Sequence, residues 1–188
     1  MKRYLFLLMI AIILLSVFGC SSNAPTDEEI AVLVEERVKA SQELNEIYFG
    51  DGLPVDILRA SVGHYQYVSK KSPYQSIDQI KKATQEVFSS EYSNLLFSNA
   101  FSGTNEQGVG IVYARYTEKD NELMMYSQFE AILTGTRTYH FDTIKVLKKN
   151  GKRIIVEVDT EDDSGTELVV RLKLVNENGK WLLDTPTY

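Results

Sequence analysis

The 188-residue sequence contains one cysteine, Cys20, and two histidines, His64 and His140, as candidates for thiol or metal chemistry. The histidines lie far apart, and neither stands in a metal-ligand spacing such as HExxH. A zinc site would need carboxylate partners that the spacing does not identify. The sequence therefore predicts no metal or other cofactor, and both histidines are expected at surface or half-buried positions.

Two loops carry residues that could bind an ion or a phosphate. The run DTEDDSG at 159–165 offers oxygen ligands for Ca²⁺, but an EF-hand loop needs Gly sixth and Glu twelfth. Ser164 and Val170 stand there, so a solvated hairpin turn is the favoured interpretation. The segment 103–108 has the glycine spacing of a phosphate-binding loop without the Lys-Ser/Thr that follows it. No catalytic residue is predicted.

The residues around Cys20 indicate an anchor. Lys2 and Arg3 precede an uncharged segment, 4–18, which is shorter than the about 20 apolar residues that cross a bilayer. Together with the small residue at its end, this pattern is typical of a secretory signal peptide. The stretch Val17-Phe18-Gly19-Cys20 resembles the bacterial lipobox.

The lipobox resemblance implies that the Cys20 thiol is diacylglycerated and that cleavage follows Gly19. Acyl chains hold a protein on a membrane by about 0.8 kcal/mol per buried CH₂. The implied location is the extracytoplasmic face of the cell membrane, with the membrane bound through the lipid on Cys20. The alternative is a signal-anchor helix with an incidental cysteine.

The predicted organisation is a signal peptide at 1–19, the lipidated cysteine with a short tether at 20–26, and one α+β domain at 27–188. The full chain has a net charge of −6, and removal of Lys2 and Arg3 makes it −8. This acidity argues against nucleic acid as a partner, because a basic face supplies most of that affinity.

The first part of the domain, 27–103, is predicted to be mainly helical. Thr26 and Glu29 fit a capping box, and the glycines at 50 and 52 would end the helix that follows. Ser76 and Gln79 fit a second capping box. A further helix is expected over 91–100. The residues expected to be buried on these helices are Ile30, Leu33, Val34, Val38, Leu44, Ile47, Tyr48, Ile80, Thr84, Val87, Tyr92, Leu95 and Leu96.

The second part, 104–188, alternates apolar and polar residues as strands do. Strands are predicted over 110–116, 122–133, 143–149, 152–160, 166–176 and 180–184, with Asn-Gly turns after two of them. The face expected to be buried carries Val156, Val158, Leu168, Val170, Leu172 and Leu174. The predicted fold class is α+β, with N-terminal helices packed on a twisted antiparallel sheet that ends in a C-terminal meander.

Tyrosine is frequent, with 11 in the chain. Tyr65, Tyr67 and Tyr74 precede the predicted Ser76 helix and are the candidate binding residues. Tyrosine offers contact area and a hydroxyl group at low entropic cost, which suits a binding face. The alternative is that these tyrosines occupy half-buried strand positions, which the residue also favours.

The order of elements and the ending NGKWLLDTP resemble the cystatin-like or NTF2-like fold of many small bacterial lipoproteins. That resemblance implies a sheet curled around a helix, with a cone-shaped cavity. The stretches HYQYVSKKSPYQSIDQIKKATQEVFSSEYS and NENGKWLL are similar to segments of the secreted inhibitors of cell-wall DL-endopeptidases.

Together these features favour a lipid-anchored, non-catalytic binding or regulatory module whose partner is an envelope or cell-wall protein, such as a cell-wall hydrolase. An enzyme or a small-ligand carrier that uses the cone cavity is the alternative, because this fold serves many functions.

The anchor is tested by Cys20→Ala. The variant should lose membrane association and lipoprotein-type processing, because the thiol that receives the lipid is gone. Fractionation of cells after a high-salt wash measures this. A variant that still sediments with the membranes would show that the lipobox interpretation is wrong.

Overall fold

The computed structural model describes residues 24–106, 110–129, 131 and 137–188, so the predicted signal peptide and Cys20 lie outside the described residues. Within these residues there are three helices, α1 (Asp27–Phe49), α2 (Ile77–Val87) and α3 (Ser90–Phe101). The strands are β1 (Tyr65–Tyr67), β2 (Thr104–Glu106), β3 (Gly110–Val112), β4 (Tyr116–Lys119), β5 (Glu122–Tyr126), β6 (Arg137–Lys149), β7 (Arg153–Asp162), β8 (Glu167–Glu177) and β9 (Lys180–Leu183). The predicted α+β class is confirmed.

Helix α1 begins and ends where its sequence predicts. The Thr26 hydroxyl accepts from the Glu29 backbone N–H at 3.2 Å, and the Glu29 carboxylate accepts from the Thr26 N–H at 2.8 Å. Both halves of the capping box are therefore present. The helix ends at Gly50, whose N–H donates to the carbonyls of Asn45 and Glu46. The predicted apolar stripe lies in the core or packs against it.

Helices α2 and α3 depart from the predictions in detail. The Ser76 hydroxyl caps α2, but the Gln79 side chain accepts from the Gln75 N–H, so the reciprocal half of the box is missing. Leu95, predicted to be buried on α3, is 55% exposed. The buried stripe of α3 starts at the small polar residue Ser93 and continues through Leu96, and Leu95 lies beside it.

The largest sheet has the strand order β6-β7-β8-β9, and every neighbouring pair is antiparallel. Val156 lies opposite Leu172, and both are fully buried against the helices. Leu168, predicted on the same face, is 48% exposed. It lies opposite Thr160 near the end of the hairpin. Alternation predicts which face a residue occupies, but not whether another element covers that face.

A second sheet has the order β1-β5-β4, and β2 pairs with β3 separately. The strand predicted over 110–116 is therefore broken, because its first part pairs with β2 and its last residue begins β4. The strand predicted over 122–133 ends at Tyr126, and residues 130, 132 and 133 lie outside the described part. The three-residue break between β3 and β4 holds Tyr113 and Arg115.

The C-terminal segment is tied to α1 by buried polar groups. The Thr187 hydroxyl lies 2.6 Å from the Ser41 hydroxyl and accepts from the Asn45 amide at 2.9 Å. Tyr139 donates to the Thr187 carbonyl at 3.0 Å. Arg37 donates from Nε to the carbonyl of Trp181 on β9. These bonds satisfy groups that would be costly to bury unpaired, and they fix α1 across the large sheet.

The uneven burial along β8 is tested by placing aspartate at two leucines of the same face. Leu172 is fully buried, so Leu172→Asp should lower the free energy of unfolding by roughly 3–5 kcal/mol through a buried, unpaired charge and lost packing. Leu168→Asp, on the same strand, should cost about 1 kcal/mol or less. Denaturant unfolding followed by fluorescence of Trp181, the single tryptophan, measures both. Equal losses would contradict the observed burial of the strand.

Candidate functional site

The three-stranded sheet β1-β5-β4, here called the small sheet, gathers aromatic side chains that are distant in sequence. Its β4–β5 hairpin closes through Asp120 and Asn121, whose φ angles of 54° and 63° are those of a tight two-residue turn. Strand β1 then pairs with β5 so that Tyr65 lies opposite Tyr126. The break before β4 brings Tyr113 to the same place.

Four rings form one cluster, the aromatic patch, which consists of His64, Tyr65, Tyr113 and Tyr126. Tyr113 and Tyr126 stack with centroids 4.9 Å apart and planes inclined by 16°. Tyr65 lies 5.7 Å from Tyr126, and His64 lies 5.1 Å from Tyr113. His64 and Tyr113 are exposed, while the other two rings are half-buried. Such a surface offers both π-faces and hydroxyl groups to a partner.

The patch is fixed by hydrogen bonds to the break between β3 and β4. The Tyr65 hydroxyl donates to the carbonyl of Ala114 at 2.8 Å, and the Tyr126 N–H donates to the carbonyl of Arg115 at 2.8 Å. Ser127 donates twice to the carbonyl of His64. Burial raises the pKa of Tyr65, so its hydroxyl remains a donor at neutral pH. The rings are therefore ordered without a ligand, which lowers the entropic cost of binding.

The three tyrosines nominated from the sequence lie in different places. Tyr65 belongs to the aromatic patch. Tyr67 is buried beneath the guanidinium of Arg59, which lies 3.3 Å from the centre of its ring. Tyr74 is half-buried and packs against the core. Tyr113 and Tyr126, which lie far from Tyr65 in the sequence, join it in the structure through the pairing of β1 with β5 and the break before β4.

An ion-paired group holds Arg59 over Tyr67. Arg59 donates to the Glu122 carboxylate at 2.7 Å, and Lys70 donates to its other oxygen at 2.6 Å. These two hydrogen bonds, the one from Arg59 first, lower the pKa of Glu122 to about 2. Glu122 therefore stays ionised at neutral pH and its charge is locally compensated.

Arg115 is the buried cation of the site, with 3% of its surface exposed. Its Nε donates to the carbonyl of Ile47 at 2.7 Å, and its Nη2 donates to that of Gly50 at 2.6 Å. These carbonyls end α1, which has no basic residue in its own last turn. A cation at a helix C-terminus interacts favourably with the unpaired carbonyls. The guanidinium also lies 3.7 Å from the centre of the Phe129 ring, and burial lowers the pKa of Arg115.

A cavity of about 180 Å³ adjoins this guanidinium. Its walls are mostly apolar and come from the end of α1, from α3 and from the segment after β5. The lining residues are Tyr48, Phe49, Leu96, Asn99, Ala100, Arg115 and Phe129.

The acidic run at 159–165 lies at the end of β7 and in the hairpin turn that follows it. The Asp162 carboxylate accepts from the Ser164 hydroxyl first, and also from the backbone N–H groups of Thr166 and Ser164, and these bonds lower the pKa of Asp162. In the part of the chain that the structure describes, no group of three His, Cys, Asp or Glu residues could hold a metal ion.

Comparison of the chain with models of protein families and with curated proteins gave no match. None of the helices in the described ranges combines the length and the apolar character needed to cross a bilayer.

Proposed function

We propose that this protein is a lipid-anchored, non-catalytic binding module of the cell envelope, with a cell-wall hydrolase as its expected class of partner. The lipid on Cys20 supplies the membrane attachment, and the aromatic patch supplies the contact surface. The cystatin-like or NTF2-like resemblance of the α+β domain agrees with such a role.

The observation that carries this proposal is the preformed stack of Tyr113 on Tyr126, with Tyr65 and His64 beside it. Rigid, half-exposed tyrosines resemble the binding residues of antibodies, which give large contact area with little loss of conformational freedom. Aromatic residues of this kind are also common among the few side chains that dominate the energy of an interface.

The position of the patch relative to the tether also supports the proposal. Residue 24 precedes the first turn of α1, whereas Arg115 attaches the small sheet to the last turn. Because α1 has 23 residues, these two ends are about 34 Å apart. A lipid on Cys20 would thus hold the N-terminal end of α1 near the membrane and leave the patch toward the wall.

Charge favours a basic partner. The chain carries a net charge of −6, and loss of the first 19 residues would make it −8. Next to the patch, Glu122 is already compensated by Arg59 and Lys70, so the attraction would come from the wider acidic surface. Association should therefore weaken as salt rises, while the aromatic contacts give specificity.

Single substitutions in the full-length, detergent-solubilised protein test the contact surface. Tyr113→Ala should lower capture of a purified cell-wall DL-endopeptidase by roughly tenfold or more, because an exposed stacking ring is lost. Tyr113→Phe keeps the ring and should retain most of the binding. The measurement is the dissociation constant at low and high salt, with the melting temperature of each variant recorded to confirm folding.

Tyr188→Ala is the matched control, since Tyr188 is 40% exposed and Tyr113 is 36% exposed. Tyr188 packs on Phe49, outside the patch, and its loss should leave capture unchanged. Equal capture by wild type, Tyr113→Ala and Tyr126→Ala would exclude this surface. Turnover of wall peptides by the purified protein would contradict the non-catalytic role.

A further inference from the structure

Arg115 is a buried cation for which the described residues provide no carboxylate in a salt bridge, although buried charges are normally paired. A guanidinium has five N–H donors, and Arg115 uses Nε and Nη2 for the two helix carbonyls. The third nitrogen, Nη1, is buried and has no hydrogen-bond partner among the described residues. Asp51 and Glu46 attract Arg115 electrostatically, but both are exposed to solvent. Burial of an unpaired donor is unfavourable, and native proteins rarely tolerate it without a reason.

The cavity beside Arg115 has a chemistry that selects among anions. Leu96, Ala100 and Phe129 give it apolar walls, while Arg115 is the cationic residue that lines it. A phosphate or sulfate would lose much of its hydration against such walls. A carboxylate carries a single charge and matches the planar fork of a guanidinium. The hydrocarbon part of a carboxylic acid can replace water at the apolar walls.

We propose that this cavity binds a small monocarboxylate with an apolar tail, whose carboxylate pairs with Nη1 of Arg115. The tail lies against the α3 side of the cavity. Because Nη1 is shielded from solvent, binding requires a small shift of the guanidinium or of the Phe129 ring. The ligand then supplies a partner that the folded chain does not provide.

This site goes beyond the proposed function and does not depend on it. Different residues form the aromatic patch and the cavity. Tyr65 of the patch donates to the carbonyl of Ala114, whereas Arg115, which lines the cavity, donates to the carbonyl of Gly50 at the end of α1. Loss of one binding activity without the other is therefore measurable, and the substitutions that test them do not overlap.

Asn99 offers a substitution that leaves the buried residues untouched. It lines the cavity and is exposed, and Asn94 is an exposed asparagine of the same helix that does not line it. Asn99→Asp places a negative charge near the bound carboxylate and should weaken binding roughly fivefold or more. Asn99→Lys should strengthen binding. Asn94→Asp and Asn94→Lys change the net charge equally and should alter binding less than about twofold.

The experiment is equilibrium dialysis of radiolabelled benzoate and hexanoate against the full-length protein in detergent, with protein-free micelles as the blank. Benzyl alcohol serves as a neutral molecule of similar size to benzoate and should bind much more weakly. Ala100→Leu, which fills the cavity, should abolish binding of both carboxylates. The site is supported if the carboxylates bind saturably and if their affinity changes with the charge at position 99 but not with the charge at position 94. Absence of saturable binding, equal binding of benzyl alcohol, or equal effects at Asn94 and Asn99 would overturn it.

Discussion

The contact between the Arg115 guanidinium and the last carbonyls of α1 joins the two parts of this molecule. Helix α1 packs on the large sheet through its buried stripe, but it has no basic residue in its last turn to bind its own terminal carbonyls. Arg115, the last residue before β4, reaches them. Tyr116 reinforces the junction, because its hydroxyl donates to the carbonyl of Ile47 and accepts from the N–H of Leu53. Arg115 and Tyr116 therefore add a buried polar junction to the core packing of Tyr116 and Leu123, which also holds this sheet against the helices.

The same junction also orders the aromatic patch. The segment that sends Arg115 inward also carries the carbonyls that bind Tyr65 and Tyr126, so the rings are ordered by the residues that fix the sheet to α1. The aromatic patch is thus a rigid surface at one end of α1, and residue 24 lies at the other. A lipid anchor on Cys20, as proposed, would use α1 as the spacer between the membrane and the patch.

Features encoded within a few residues could be predicted from the sequence. The capping box of Thr26, the stripe of α1 and the Asn178-Gly179 turn depend on local spacing, and the structure has all three, with φ angles of 55° and 85° at that turn. Burial was less predictable, because Leu95 and Leu168 are apolar and fit the predicted buried pattern, yet no other element covers them. The aromatic patch required the pairing of Tyr65 with Tyr126, which no local pattern specifies. The burial of Arg115 could not be predicted from the sequence either, since arginine is seldom fully buried without a partner.

Amide hydrogen exchange of the Arg115→Met variant tests the role of this junction most directly. Methionine fills apolar space but cannot donate to Ile47 or Gly50. The account predicts that amides of β1, β4 and β5 exchange roughly tenfold faster or more, because the small sheet opens more often. In the same variant, amides of β7 and β8 should keep their protection. Arg171→Met is the control, because it removes an exposed arginine, and it should leave the exchange of every strand unchanged. Unchanged exchange in the small sheet, or an equal increase in both sheets, would contradict the account.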